Sequence, residues 1–391
     1  MAPSPSPAQA SIPSAASEGS EPSQPGLPRH GGLGKPFSRL VAYLRARPAL
    51  CLLLMSPGIP EYLSGSSKLG LLAVNPGAFL LFLGLNLGLY VPGVLLVREA
   101  CVRWGKGWAS ILLLGAAYGI VEEGIALNTM FNPNASVVGA LGGYGHFDGV
   151  NTVWIPGVLI VHMVYSIGLP ILLLGLAVPE SKGRRLLTRQ GLAAALSVLA
   201  VDMTLLLVGF NLLAEHFWMG WPIFFGSLAA IALLVAASYY LPATWPRLRN
   251  RPPPSVTPTR AGVVGAALLP GVFLLQGILQ TVGAPPELAI VAVMTLGVSE
   301  AAFAYWFFGS GGNRRGLLGF SLGLLLPIVC IGLLGNFPLE LVIVADAAVY
   351  MLFRHLFANA PAVESEVLRP GSPEGVPGPP RYVPRLTRPE G

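Results

Sequence analysis

Long apolar stretches recur along the chain, separated by short polar segments that carry most of the charge. A helix needs about 20 consecutive apolar residues to cross the hydrocarbon core of a bilayer. The first stretch is short and contains Pro57 and Pro60, so it either crosses the bilayer or enters it and returns. The pattern predicts an all-α integral membrane protein with about ten transmembrane helices. We place these helices near residues 48–66, 76–97, 107–128, 152–178, 191–214, 218–241, 261–282, 287–308, 316–335 and 338–354.

The two ends of the chain differ in composition from the part between them. Residues 1–36 and 358–391 are rich in Pro, Ser and Gly, and neither contains a long apolar run. Segments of this composition cannot bury enough apolar surface to fold, so we expect two disordered tails. The first tail also lacks the apolar core of a signal peptide. A polytopic helical domain, residues 37–357, is predicted between them.

Lys and Arg alternate along the chain in a way that indicates topology. They cluster before the first apolar stretch and in every second connection after it, whereas the other connections contain only Lys68. Positive residues are retained on the cytoplasmic side of membrane proteins. The alternation therefore predicts crossings of the plasma membrane that leave both termini in the cytoplasm. The clusters are Arg39, Arg45 and Arg47; Arg98, Arg103 and Lys106; Lys182, Arg184, Arg185 and Arg189; Arg247, Arg249, Arg251 and Arg260; Arg314 and Arg315; and Arg354.

Composition narrows the class of protein further. Of the 391 residues, 53% are hydrophobic and 11% are charged, and the formal net charge is +6. Soluble domains carry roughly 25% charged residues, so a soluble enzyme is excluded. Three scattered cysteines do not form a disulfide framework. Because the positive charge lies between apolar stretches, we expect the lipid bilayer, and not nucleic acid, as the partner. A helix-packed oligomer is left open.

Ionisable residues inside the apolar stretches are the strongest pointers to function, because each is costly in hydrocarbon. No Lys or Arg lies within the core of any predicted span to neutralise them. Buried carboxylates without a cationic partner stay protonated, face water, or hold a cation. The residues concerned are Glu122 and Glu123 in the third span, His162 in the fourth, Asp202 in the fifth, Glu300 in the eighth and Asp346 in the tenth.

The adjacent pair Glu122 and Glu123 is the sharpest of these features. Neighbouring residues on an α-helix differ by about 100° in direction, so we expect one carboxylate to face a cavity and the other a neighbouring helix. His162 lies in the outer half of the next, antiparallel span, so contact with the pair is expected. A carboxylate and an imidazole together can activate water. These three are the candidate catalytic residues; the alternative is a set of groups hydrogen-bonded for structure alone.

Other residues on the predicted outer side add a weaker hypothesis. His146 and Asp148 lie in the loop 129–151, which we expect to form a cap or a re-entrant turn, and His216 lies in a later outer connection. Together with the glutamates they are candidate ligands for Zn²⁺, although no HExxH spacing accompanies them. The sequence assigns no cofactor.

Two resemblances bear on the same residues. The block REACVRWGKGWASILLLGAAYGIVEEGIALNTMFNP, residues 98–133, and the part that follows resemble a group of uncharacterised polytopic membrane proteins of bacteria and archaea, over roughly residues 50–180. More distantly, the chain resembles the CAAX-protease and bacteriocin-processing intramembrane glutamic endopeptidases, which carry EExxxR, FxxxH and HxxxN. This resemblance implies that Glu122 is the water-activating base and that His162 and His216 are the two histidines.

The chain also departs from that family's pattern. Leu127 stands in place of the arginine, Val158 in place of the phenylalanine and Gly220 in place of the asparagine. The order Glu, His, His is kept, but the flanking residues are not.

Three hypotheses follow. The first is a membrane-embedded hydrolase that uses Glu122, Glu123 and His162. The second is a proton- or cation-coupled transporter in which Asp202, Glu300 and Asp346 join the glutamate pair. The third is a non-catalytic membrane scaffold whose buried acids are structural.

GxxxG spacings at Gly84/Gly88 and Gly319/Gly323 indicate close helix packing. Substrate and oligomeric state are left open.

Overall fold

The computed structural model of the protein describes residues 35–243, 257–308, 314–335 and 339–358. The chain divides into two compact units, Met1–Tyr43 and Leu44–Gly391. The described part of the first unit is the beginning of helix α1 (Lys35–Ala46), and everything below concerns the second unit. Most of both predicted tails, and Arg247, Arg249 and Arg251, lie outside the described residues.

The described part of the second unit is almost entirely helical, which confirms the all-α prediction. Its strands are the short β1 (His146–Phe147) and β2 (Val150–Asn151). Four segments form wider π-helical turns: π1 (Gly58–Leu63), π2 (Ile120–Ala126), π3 (His162–Gly168) and π4 (Leu207–Ala214). The α-helices are α2 (Pro48–Pro57), α3 (Leu71–Val74), α4 (Pro76–Trp104), α5 (Trp108–Gly119), α6 (Trp154–Val161), α7 (Leu169–Ala177), α8 (Arg189–Leu206), α9 (Trp221–Tyr240), α10 (Pro258–Thr281), α11 (Pro286–Phe308), α12 (Arg314–Gly335) and α13 (Leu339–Ala358).

Within the described ranges, seven helical segments are long and apolar enough to cross a membrane. Helices also cover the other three predicted spans, at α2–π1, α11 and α13. The structure therefore agrees with a membrane protein and with the predicted positions of its helices. The seven segments are Pro76–Trp104, Trp108–Ala126, Trp154–Ala177, Arg189–Ala214, Trp221–Tyr240, Pro258–Thr281 and Arg314–Leu333.

The helices differ in how deeply they are buried. In the apolar window of Trp154–Ala177, 72% of residues are buried, against 6% for Arg189–Ala214 and 11% for Trp221–Tyr240. The central element is thus α6–π3–α7, while α8 and α9 present large apolar side chains such as Leu205 and Leu233 to the outside. Apolar surface of this extent is expected where a protein faces lipid.

Helix α9 has aromatic clusters at both ends. Trp218, Trp221 and Phe224 pack around its beginning, with ring centroids 5.2–5.9 Å apart. At its end, the Tyr239 ring lies 5.3 Å from that of Trp104. The 20 residues between these ends span about 30 Å, the thickness of a hydrocarbon core. Aromatic belts at this separation are typical of helices that cross a bilayer.

The basic segments are joined to one another by hydrogen bonds. The Arg98 guanidinium donates to the carbonyls of Ser181 and Arg184 at 2.5 and 3.0 Å, and Arg103 donates to that of Leu187 at 2.6 Å. In the same way, the side chain of Lys106 donates to the Leu241 carbonyl and that of Arg314 to the Leu176 carbonyl. The ends of α4, α7, α9 and the beginning of α12 therefore lie at one end of the bundle.

The loop between π2 and α6 is folded on itself. Strands β1 and β2 form a small antiparallel hairpin in which His146 pairs with Asn151. The Asn151 amide donates to the carbonyls of Leu141 and Gly142. Met130 and Phe131 of the same loop are buried, and the Met130 carbonyl accepts a hydrogen bond from the backbone N–H of Asn151. The loop is therefore a compact structure of its own, and we call it the cap.

One of the two GxxxG spacings lies at a close helix crossing. A Cβ at Gly319 would lie 2.2 Å from the Pro258 carbonyl, and one at Gly323 would lie 2.0 Å from that of Gly262. Helices α10 and α12 can approach so closely because these positions have no side chain. In the other spacing, a Cβ at Gly88 would lie 2.6 Å from Asp202 Oδ1 on α8, whereas one at Gly84 would meet nothing within 4 Å.

Candidate functional site

The π-helical turns carry the polar residues of the site. Glu61 lies in π1, Glu122 and Glu123 lie in π2, and His162 begins π3. Asn211 in π4 donates to the Ala126 carbonyl at the end of π2. A π turn accommodates one extra residue per turn and is frequent at functional sites. The four turns therefore redirect side chains of otherwise ordinary membrane helices toward a common region.

The imidazole of His162 lies between the two glutamates of the adjacent pair. Its Nδ1 is 3.1 Å from Glu122 Oε2, and its Nε2 is 3.1 Å from Glu123 Oε1. Ser166 Oγ, one turn further along, is also 3.1 Å from Nδ1. The side chains of His162 and Glu122 are 3% and 2% exposed, whereas that of Glu123 is 12% exposed.

This arrangement confirms the expected contact and changes its geometry. The sequence predicted that Glu122 and Glu123 point apart, because an α-helix separates neighbours by about 100°. In the wider π turn the separation is smaller. Both carboxylates consequently reach one imidazole, each at a different nitrogen.

Two glycines allow the helices to approach closely enough for this contact. A Cβ at Gly115 would lie 2.9 Å from Met163 Cα, and a Cβ at Gly119 would lie 3.1 Å from His162 Cβ. Both glycines are buried in α5, directly before π2. Because the two glycines have no side chain, π3 packs directly against α5, and His162 lies close enough to contact the glutamate pair.

On one side the cluster extends through Tyr90 to a further carboxylate. The Tyr90 hydroxyl is hydrogen-bonded to Glu122 Oε1 and lies 2.7 Å from Glu61 Oε1. The other oxygen of Glu61 accepts a hydrogen bond from Ser67 Oγ at 2.7 Å, and Ser67 accepts one from the Asn86 amide at 2.9 Å. Glu61 and Tyr90 are thus joined by hydrogen bonds to Glu122, whose other oxygen forms the ion-pair contact with His162.

On the other side the chain ends near the cap. Glu123 Oε2 accepts a hydrogen bond from the Thr129 hydroxyl. Thr129 accepts one in turn from the indole of Trp154 at 3.3 Å. The first residue of α6 and the beginning of the cap therefore orient Glu123.

Two further groups border this chain. The Tyr118 ring lies edge-on to His162, with centroids 5.9 Å apart. Asp202 on α8 is buried against α4, where a Cβ at Gly88 would lie 2.6 Å from its Oδ1. Within the described ranges, the ion pairs of Glu122 and Glu123 are both with His162. The neighbourhood is rich in carboxyl groups and poor in cations.

The other two isolated acids lie elsewhere. The Glu300 carboxylate lies against Gly271 of α10, where a Cβ would be 2.8 Å from its Oε1. Both oxygens of the Asp346 carboxylate are buried without a hydrogen-bond partner. Neither residue joins the hydrogen-bonded chain around His162.

The structure brings together some of the candidate metal ligands and leaves the others apart. In the part of the chain that the structure describes, one group of three potential ligands has atoms within 4.8 Å of one another, and it consists of Glu122, Glu123 and His162. His146, Asp148 and His216 lie outside it. The two carboxylates approach opposite nitrogens of His162, so the arrangement is that of an imidazole clamped between carboxylates.

The three remaining candidates occupy the surface loops. His146 is half-buried in β1, while Asp148 and His216 are exposed in turns with positive φ angles of 47° and 52°. Burial lowers the pKa of His146 below its ordinary value of 6.5, against the opposing effect of a hydrogen bond to the Phe131 backbone. The role that the endopeptidase resemblance implied for His216 has no support in this geometry.

Sequence reasoning missed Glu61 and Tyr90. A signal was present for Glu61, because it lies within the first predicted span, next to the prolines that interrupt it. Tyr90 gave no comparable signal, since a tyrosine in an apolar helix is usually a packing residue. Only the three-dimensional arrangement shows that its hydroxyl joins two carboxyl groups.

No protein-family model matches this chain, and neither a curated protein nor a solved structure is found to be similar to it. The function is therefore inferred from the geometry of the site.

Proposed function

We propose that the protein is a multi-pass protein of the plasma membrane that crosses the bilayer ten times, with both termini in the cytoplasm. The alternation of Lys and Arg clusters supports this topology. The hydrogen bonds that join four basic segments at one end of the bundle support it further. The cap and the Glu–His cluster then lie toward the outer face.

Within this topology we propose a membrane-embedded hydrolase. The observation that carries the proposal is the clamped imidazole, with His162 3.1 Å from a carboxylate oxygen at each nitrogen. A carboxylate held against an imidazole is suited to take a proton from water. Glu123 is the more exposed of the two glutamates and faces the cap, so it is the better placed to meet water.

The proposed reaction uses these groups in order. Glu123 accepts a proton from water, and the resulting hydroxide attacks the carbonyl carbon of a peptide or ester bond. The same proton then passes to the leaving group as the carbon–heteroatom bond breaks. His162 orients Glu123 through Nε2, and Glu122 fixes the imidazole from the other side. Because the site lies among membrane helices, the substrate class is a bond close to the lipid surface.

The test measures cleavage of lipid-anchored peptides and esters by the purified protein in lipid nanodiscs. The variants Glu122→Gln, Glu123→Gln and His162→Ala should each lose at least about 100-fold in kcat/KM. Glu300→Gln is the matched control, since it neutralises another intramembrane acid outside the cluster. Cleavage that survives in all three folded variants would contradict the proposal.

One observation favours a second function, a proton- or cation-coupled transporter. A chain of hydrogen bonds and ion-pair contacts from Glu61 through Tyr90, Glu122 and His162 to Glu123 joins three carboxyl groups, as in a proton relay. In sealed proteoliposomes a transporter would dissipate an imposed pH gradient, and Glu122→Gln would abolish the flux. A hydrolase would leave the gradient intact.

A further inference from the structure

The hydroxyl of Tyr90 lies between two carboxyl groups that are distant in sequence. It is 2.7 Å from Glu61 Oε1 and is hydrogen-bonded to Glu122 Oε1. Tyr90 is 3% exposed and Glu122 is 2% exposed. Water therefore has little access to this point, and the hydrogen bonds there must be made by the protein's own donors.

If the carboxyl groups of Glu61 and Glu122 were both ionised, the Tyr90 hydroxyl would supply one hydrogen for two acceptors. A tyrosine hydroxyl has one hydrogen, which it can donate fully to one acceptor, and an ionised carboxylate only accepts. Two ionised carboxylates at Tyr90 would compete for that hydrogen and repel each other. A proton on one of the two, donated to the Tyr90 oxygen, would satisfy both carboxyl groups.

Glu61 Oε2, the oxygen that does not contact Tyr90, is not available for that proton. Ser67 Oγ donates to Glu61 Oε2 at 2.7 Å, while the Asn86 amide donates to Ser67 at 2.9 Å. These two donors point toward Glu61, so Oε2 acts as an acceptor. The shared proton is consequently held on the Tyr90 side, between Glu61 Oε1 and Glu122 Oε1.

Glu61 also differs from Glu122 in its access to the surface. Its side chain is half-buried, and Ser66, one residue before its partner Ser67, is exposed. Glu122 and His162 are buried at 2% exposure each. Of the three bridged residues, Glu61 thus lies nearest to the surface of the protein.

We propose that Glu61 and Tyr90 are positioning residues of the Glu–His site and hold one proton in common with Glu122. The shared proton fixes the Glu122 carboxyl group, which in turn fixes His162. This inference rests on the proposed function only for its effect on catalysis. The pairing of Glu61 with Glu122 through Tyr90 can be measured whatever the protein catalyses.

The groups that can influence the shared proton lie on several elements. Those near it are Tyr62 in π1, Tyr118 in α5, Glu123 in π2, His162 in π3 and Asp202 in α8, with Lys68 at the exposed end of the following loop. Variants of Tyr90 leave all of these in place. They therefore test only the Tyr90 hydroxyl that joins Glu61 to Glu122.

The experiment is infrared spectroscopy of the purified full-length protein in nanodiscs, recorded in H₂O and D₂O across a pH series. A protonated carboxyl group gives a carbonyl band that shifts on deuteration and with its hydrogen bonds. Tyr90→Phe removes only the bridging hydroxyl, and Tyr144→Phe is its matched control, since Tyr144 donates to the Ala284 carbonyl far along the chain. Glu61→Gln removes one of the two bridged carboxyl groups.

We expect Tyr90→Phe to shift a carboxyl band that Tyr144→Phe leaves unchanged, and Glu61→Gln to shift or remove that same band. Identical spectra for Tyr90→Phe and Tyr144→Phe would overturn the proposal. If Glu61→Gln does not fold, Glu122→Gln serves in its place, because the band belongs to both groups. A band that survives Tyr90→Phe and Glu122→Gln unaltered would equally overturn it.

A second measurement separates this inference from the hydrolase. If the wild-type protein cleaves a substrate, Tyr90→Phe should move the pH profile of kcat while leaving KM within about twofold, as expected for a group that acts through another residue. An unchanged pH profile in a cleaving enzyme would count against the positioning role. If the wild-type protein cleaves nothing, the hydrolase proposal fails, and the infrared result still decides the shared proton.

Discussion

Gly119 lies directly against His162, so close that a Cβ on the glycine would be 3.1 Å from that of the histidine. The same Cβ would lie 3.0 Å from Leu159 Cδ2. The contact explains how the His162 imidazole reaches both carboxylates, which lie on the neighbouring helical segment. It also makes the site sensitive to a residue that has no chemistry of its own.

We expect Gly119→Val to separate π3 from α5 and to lower the free energy of unfolding by about 1–3 kcal/mol, the usual cost of overpacking. The proposed cleavage should fall as well, because His162 would no longer reach both glutamates. Thermal unfolding in nanodiscs measures the first effect. Gly84→Val is the matched control, since a Cβ there meets nothing within 4 Å. Equal melting temperatures for the two variants would contradict this account.

The two glutamates should differ in their contributions to activity. Glu123 is the more exposed, while Glu122 is held by Tyr90 and faces Nδ1 of His162. We therefore expect Glu123→Asp, which withdraws the carboxylate by one methylene, to lower kcat more than Glu122→Asp does. Steady-state kinetics on one substrate compares them. The reverse order would assign the base to Glu122, as the endopeptidase resemblance implies.

The crossing of α10 and α12 gives a prediction about stability alone. A Cβ at Gly323 would lie 2.0 Å from the Gly262 carbonyl, which is backbone and cannot move aside. We expect Gly323→Ala to separate the helices and to lower the melting temperature. Gly277→Ala on α10 meets nothing within 4 Å and should leave it unchanged or raise it slightly. A Gly323→Ala protein as stable as the wild type would refute the close crossing.

The cap should loosen as the pH falls. Burial lowers the pKa of His146 below 6.5, so protonation favours the open form. The stability that neutral His146 gives is complete above its ordinary pKa and is lost as the pH falls below it. We expect hydrogen exchange of β1 and β2 to rise more on acidification in the wild type than in His146→Gln, compared at matched pH. Parallel changes in the two proteins would exclude His146 as the cause.

The orientation of the helices can be tested by cysteine labelling. Asn134 lies exposed in the cap, and Gln190 lies exposed at the beginning of α8. A membrane-impermeant maleimide should label Asn134→Cys in intact cells and Gln190→Cys only after permeabilisation. Each cysteine is introduced into a protein whose native cysteines, Cys51, Cys101 and Cys330, are replaced by serine or alanine. The opposite labelling pattern would invert the proposed topology.

The sequence predicted the helices well and the site only in part. Long apolar stretches such as those of α4 and α9 have one stable form in a bilayer, because their backbone groups must be satisfied within the segment. The contact between His162 and the glutamate pair followed from the antiparallel order of neighbouring spans. The π turns could not be predicted, because one extra residue in a turn leaves no mark on an apolar pattern. Glu61 could have been noticed as an acid within the first predicted span, but its direction toward Tyr90 depends on π1.

The π turns position the acidic side chains, whereas the length and apolar character of the helices hold the protein in the membrane. Deleting one residue from π2 would remove the extra residue of the turn and let the segment close into a regular α-helix, so the flanking parts of the chain would keep their directions while neighbours within the segment return to a separation of about 100°. The helix would remain long and apolar enough to cross the bilayer, yet Glu122 and Glu123 would no longer share an imidazole. A chain shortened by a single amino acid should therefore insert and fold while its acidic centre is taken apart.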